Sequence, residues 1–227
     1  MDQKYDVSET VMVWDPLVRI FHWSLVVAFT IAYLTEDDML ALHVWSGYAV
    51  GGLIIFRIIW GFIGPKHARF SDFMFGPITT WRYIKDSASF RAKRYVGHNP
   101  AGGLMIFALL GFLSVTVWSG LELHAVENNA GPLASSQELS KTIANVVLTP
   151  AKADDDDDKN KVNARSIDSQ KKKSDFWEDV HEALANATLI LVFSHIAGVI
   201  FSSFAHGENL IRSMVNGRKR RSSEPWV

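Results

Sequence analysis

Ala101–Leu121 reads AGGLMIFALLGFLSVTVWSGL, an unbroken run without a charged residue. A helix needs about 20 apolar residues to cross a hydrocarbon core of ~30 Å. A segment apolar on every face also suits lipid, where each backbone amide must be bonded internally. Three further blocks repeat the pattern. Leu17–Leu34 is LVRIFHWSLVVAFTIAYL, Leu40–Ile63 is LALHVWSGYAVGGLIIFRIIWGFI, and Ala183–Ala205 is ALANATLILVFSHIAGVIFSSFA. The reading is an all-α integral membrane protein, a four-helix bundle with helices at about 17–34, 40–63, 101–121 and 178–205. Residues 1–227 form one membrane domain. The mean hydropathy of only +0.07 averages these blocks with highly charged connections.

The polar segments set the expected topology. Residues 1–16 carry Asp2, Asp6, Glu9 and Asp15 and lack the basic start of a cleavable signal. Short loops rich in Lys and Arg stay cytoplasmic. The 64–99 loop holds Lys66, Arg69, Arg82, Lys85, Arg91, Lys93 and Arg94, and the tail holds Arg212 and Arg218–Arg221 around Lys219. The 35–41 loop has acidic residues and no basic one. Both termini are therefore expected in the cytoplasm, with the chain multi-pass in the membrane. The outer connection, 122–177, carries Asp154–Asp158 and Lys171–Lys173 and few large apolar residues, which predicts a long, partly disordered loop. Its acidic run is a candidate docking surface for a basic partner.

Composition excludes a good deal. The 227-residue chain has no cysteine, so disulfides, thiolate metal sites and covalently attached c-type haem are ruled out. A net charge of −1 argues against a nucleic-acid binder.

Histidine is then the residue able to hold a metal inside the membrane. Eight occur, and His22, His43, His181 and His195 lie in or at the ends of the helical blocks. An ionisable group there is costly without a partner, and haem iron is such a partner for neutral imidazole. His181 and His195 are fourteen residues apart. That is about 40° short of four turns and ~21 Å along the axis, so they share a face at two depths. With the expected topology, His22 and His195 lie on the inner side, and His43 and His181 on the outer side. Each pair could clamp one iron, giving two bis-histidine haem b groups stacked between facing helices.

Gly47, Gly51, Gly52 and Gly198 leave room for a porphyrin beside these ligands. Arg57, fourteen residues after His43, and Arg19, one turn before His22, are candidate partners for haem carboxylates. His67, His98 and His124 read as solvated loop residues, and His206 as interfacial or a quinone contact. His98–Asn99–Pro100 reads as a turn and cap feeding the third helix. The competing class is a transporter using the histidines as a proton or metal path.

The order VWDPLVRIFHW (Val13–Trp23), HVWSGY (His43–Tyr48), FRIIWGFIG (Phe56–Gly64), GHNPAGGLM (Gly97–Met105), GPLA, VHEALAN, SHIAGV and NLIRSMVNGRKR (Asn209–Arg220) resembles the bacterial cytochrome b561 family. That family includes the b-type cytochrome subunits of nickel–iron hydrogenases. The resemblance covers nearly the whole chain, apart from the charged 145–174 stretch. It implies a four-helix fold with two b haems and ligands at His22, His43, His181 and His195. It also implies electron transfer linked to quinone. The expected function is electron transfer across the bilayer between the quinone/quinol pool and a periplasmic redox partner, first a c-type cytochrome. The alternatives are a membrane-anchoring subunit of a hydrogenase or similar oxidoreductase, and a quinone-linked superoxide oxidase. Membrane lipid completes the expected partners.

Overall fold

The computed structural model describes residues 10–36, 38–134 and 156–220, with side chains from 167 to 219 in the last stretch. In chain order they form β1 (Thr10–Met12), α1 (Pro16–Leu34), α2 (Leu40–Ile63), two 3₁₀ turns (Lys66–Ala68, Phe70–Asp72), α3 (Pro77–Ala88), α4 (Pro100–Asn128), α5 (Asp156–His206), α6 (Leu210–Asn216) and β2 (Arg218–Arg220). Among the described residues, four helices are long and apolar enough to cross a membrane: α1, α2, α4 and the Ile167–His206 part of α5. The chain is an all-α membrane protein with one small β-ribbon.

Local chemistry sets the helix starts. Pro16 opens α1, where its missing N–H costs nothing, and Asp15 Oδ1 accepts from the amides of Leu17 and Val18 at 2.8 and 3.1 Å. At α4, Asn99 Oδ1 accepts from the Gly102 amide at 2.7 Å, so the expected cap and proline start are both present. The second helix has the expected bounds and the first starts one residue early.

Two boundaries differ from expectation. The third helix runs to Asn128, beyond Leu121, because Ala125 and Val126 continue its buried face after the first charge. It stops where Asn129 takes φ 49°. The fourth begins at Asp156 instead of about 178. The composition argument treated 122–177 as an isolated segment, but a helix already nucleated in the membrane propagates at one bond per residue. No glycine or proline interrupts residues 151–197. The remainder of the expected disordered loop, 135–155, lies outside the described residues. So does the proposed acidic surface, since the side chains of Asp154–Asp158 are not described.

The described chain falls into two compact units, one of residues 1–113 with 188–227 and one of residues 114–187. In the first, α1 packs along α2, with Phe21 and Phe56 ring centres 6.4 Å apart. The Trp60 indole also donates to Asp15 at 3.2 Å. Between these helices runs a groove of about 560 Å³, walled by Trp23, Val27 and Ile31 from α1 and by Trp45, Ser46 and Ala49 from α2. On α3, Thr80 and Tyr83 are buried while Ile78 and Trp81 are exposed beside Arg82 and Lys85. Apolar and basic residues side by side suit a helix at a lipid–water boundary. In the second unit, Gln170 donates to the Val126 carbonyl and Ser174 to Glu127, fastening this part of α5 to the last turn of α4.

The ribbon was not foreseen. Thr10, Val11 and Met12 pair antiparallel with Arg220, Lys219 and Arg218, joining residues from both ends of the sequence. Gly217 enters this ribbon with φ 80°, ending α6, and its carbonyl accepts from Val13 and Trp14. A Cβ there would lie 2.8 Å from the Trp14 carbonyl oxygen. Gly217→Ala is therefore expected to destabilise the protein by at least about 1 kcal/mol. It should lower the thermal midpoint in detergent and expose residues before Pro16 to protease. A wild-type midpoint and digestion pattern would contradict this role.

Candidate functional site

α1 and α5 bring His22 and His195 together. Their ring centres are 6.5 Å apart with planes inclined at 56°. Trp23 sets its edge against the His22 ring, at 5.2 Å and 90°. His22 Nδ1 is buried with no hydrogen-bond partner among the described residues. A buried polar nitrogen in that condition asks for a ligand or acceptor. Two imidazoles on one metal ion, with bonds of about 2 Å, hold their ring centres roughly 6 Å apart. The spacing fits that arrangement.

His43 lies in the same unit, and its Nδ1 is 2.8 Å from the Ala32 carbonyl oxygen in the last turn of α1. A carbonyl can only accept, so Nδ1 carries the proton and Nε2 the lone pair. His181 belongs to the second unit. Its Nδ1 stands 3.0 Å from the Thr116 carbonyl oxygen and 3.0 Å from Ser119 Oγ, both on α4. The same reasoning leaves the lone pair on its Nε2. Such acceptors behind the ligating ring are how proteins orient metal-bound histidine. Beside it, a Cβ on Gly120 would come within 2.8 Å of His181 Cε1, so glycine makes room for the ring. Thr116, Ser119 and Gly120 escaped the sequence reading because α4 contains no candidate ligand of its own. The signal available was a small-polar stripe, TVWSG, in an otherwise aliphatic helix.

A Cβ built at Gly47, Gly52 or Gly198 meets no atom within 4 Å, and Gly52 and Gly198 are exposed. Arg57 is only 3% exposed, its Nη1 has no partner, and its guanidinium carbon lies 4.8 Å from the Phe70 ring centre and 6.0 Å from that of Phe73. This buried cation lies over aromatic faces with one guanidinium nitrogen left without a hydrogen-bond partner among the described residues. Arg19 reaches across to α6, where Nη1 donates to the Val215 carbonyl at 2.5 Å, and its Nε is buried and unpartnered.

Three histidines expected to be solvated are not simple loop residues. His98 is clasped between Trp14 and Phe73, each ring centre 4.5 Å away, and its Nδ1 is buried without a partner. Burial, followed by the charges of Arg57 and Lys219, drives its pKa down to about 3. His67 pairs with Asp72 at 2.8 Å. His124 sits within α4 and contacts Asn128 at 3.2 Å. Sequence position hid these because the residues that enclose His98 come from distant segments. His206 closes α5.

Four apolar spans and an imidazole pair facing each other inside them define a multi-pass helical membrane protein with histidine-lined cofactor space. The sequence matches the family described as prokaryotic cytochrome b561 over residues 13–217, and the chain belongs to that family. It is also similar to a "Probable Ni/Fe-hydrogenase B-type cytochrome subunit" of Rhodobacter capsulatus, 25% identical over 144 residues. That match covers 48% of this chain and 54% of the relative, so the chain spans about half the length of the curated relative it matches. No solved structure matches. The chain is thus a multi-pass membrane member of a family of b-type cytochromes. Membership favours the redox reading over the transport one.

The environment of His98 has a consequence for stability. Above pH 6.5 its ring is neutral in folded and unfolded chains alike, and stability is full. As pH falls from about 6.5 toward 3, the unfolded chain takes up a proton that the folded one refuses, and stability declines. His98→Phe keeps an aromatic ring between Trp14 and Phe73 but cannot titrate. Its thermal midpoint should depend less on pH between 6.5 and 4 than that of the wild type. An unchanged slope would assign the acid sensitivity elsewhere.

Proposed function

We propose that the chain holds two haem b groups, one between His22 and His195 and one between His43 and His181, and carries electrons across the bacterial inner membrane. The donor or acceptor on one side is the quinone/quinol pool. On the other it is a periplasmic redox protein, first a c-type cytochrome. The observation that carries this reading is the facing pair His22 and His195, 6.5 Å apart inside apolar helices, with a buried nitrogen left unpartnered. When bound, haem supplies a reversible one-electron centre.

The chain's own residues do the rest. Carbonyls of Ala32 and Thr116 take the Nδ1 protons of His43 and His181 and leave each Nε2 able to ligate. With two imidazoles per iron, no coordination position remains for substrate, so the site suits electron transfer. Arg57, and on the same helix as His22 Arg19, offer guanidinium nitrogens to carboxylates of the cofactor. Arg57 also places a positive charge in the His22–His195 unit, which favours the reduced state of that centre. Basic residues of the 64–99 loop and the tail support termini on the cytoplasmic side. A membrane-anchoring role beside a hydrogenase-like subunit is the second reading, favoured by the Rhodobacter capsulatus relative.

Purified protein should give close to two haem b per chain in a pyridine haemochrome assay. His22→Ala or His195→Ala should remove one haem, and His43→Ala or His181→Ala the other, leaving distinguishable spectra. One haem or none in the wild type would overturn the proposal. Which soluble protein co-purifies separates the two readings of the partner.

A further inference from the structure

We propose that Ser119 is the positioning residue for His181 and sets the electron supply of the haem that His181 holds. This rests on His181 being a ligand, as proposed above. Ser119 is 1% exposed, deep in α4. Its Oγ lies 2.8 Å from the Thr116 carbonyl oxygen and 3.0 Å from His181 Nδ1, while His181 Nδ1 is itself 3.0 Å from that carbonyl. The three atoms form a triangle with two protons to distribute.

Only one distribution suits all three distances. A lone pair on His181 Nδ1 would face the carbonyl lone pairs at 3.0 Å and be repelled, so Nδ1 bears the ring proton. The hydroxyl proton then goes to the Thr116 carbonyl oxygen, 2.8 Å away. That turns a lone pair of Ser119 Oγ toward the imidazole N–H as a second acceptor. The reverse distribution, with the hydroxyl donating to Nδ1, would protonate Nε2 and abolish ligation. The Thr116 carbonyl thus fixes the tautomer, Ser119 adds a second acceptor to the same N–H, and Gly120 leaves room for the ring edge.

Accepting from the N–H pushes electron density toward Nε2 and strengthens donation to ferric iron. His22 has no partner on Nδ1, so the effect belongs to one of the two centres.

The test is a redox titration with low-temperature electron paramagnetic resonance on purified, haem-loaded Ser119→Ala. One of the two haems should shift to higher midpoint potential, and its largest g value should move with it. The other haem should stay at the wild-type values, and haem content should stay near two per chain. Ser119→Cys keeps the volume with a weaker acceptor, and should shift the same haem in the same direction by less. It is also the variant read if the alanine form fails to accumulate. Unchanged potentials and g values in both variants would overturn the role of Ser119. A His181→Ala protein that keeps both haems would instead overturn the ligand assignment, so the two failures are distinguishable.

Discussion

An imidazole inside hydrocarbon must satisfy two ring nitrogens where no water is at hand. The rest of this structure is arranged around that demand. With no cysteine in the chain, imidazole is the candidate ligand for a cofactor iron here. His43 and His181 each give one nitrogen to a backbone carbonyl exposed near a helix end or on a neighbouring helix. His22 has no such acceptor, and its nearest ring neighbours are Trp23 and His195.

One end of the first unit is unusually rich in buried charge. Asp15 caps α1 and accepts from Trp60, Arg57 is sealed under Phe70, and Lys219 lies near Glu208 at 3.8 Å and donates to the Tyr95 carbonyl at 3.3 Å. Arg94 pairs with the same Glu208. One carboxylate thus serves two cations, of which Lys219 is buried, and burial dominates the lowering of the Lys219 pKa. Removing one partner from such a cluster leaves an uncompensated charge, which costs more than the pair contributes. The β1–β2 ribbon brings Lys219 to this place. Without it Glu208 and Arg94 would lose their neighbour.

How much of this could be read in the sequence depends on range. The spans follow from length and hydropathy, and the caps at Asp15 and Asn99–Pro100 from residue types within three positions. The same holds for the four histidines, since an ionisable residue in an apolar run stands out without any structure. What escaped is long-range. Trp14 and Phe73 close over His98 from separate segments, and the ribbon joins residues over two hundred positions apart. Ser119 and Gly120 look like ordinary small residues until His181 is laid against them. The early start of α5 is not legible in composition, because charge counts ignore the helix that a segment continues.

The two proposed centres also differ in a consistent sense. At the His43–His181 site both imidazoles donate to carbonyl oxygens, and Ser119 adds a further acceptor, so the ligands are electron-rich. At the His22–His195 site one imidazole has an unpartnered Nδ1, and the same unit holds the buried cation Arg57. The first arrangement stabilises the oxidised iron and the second the reduced one.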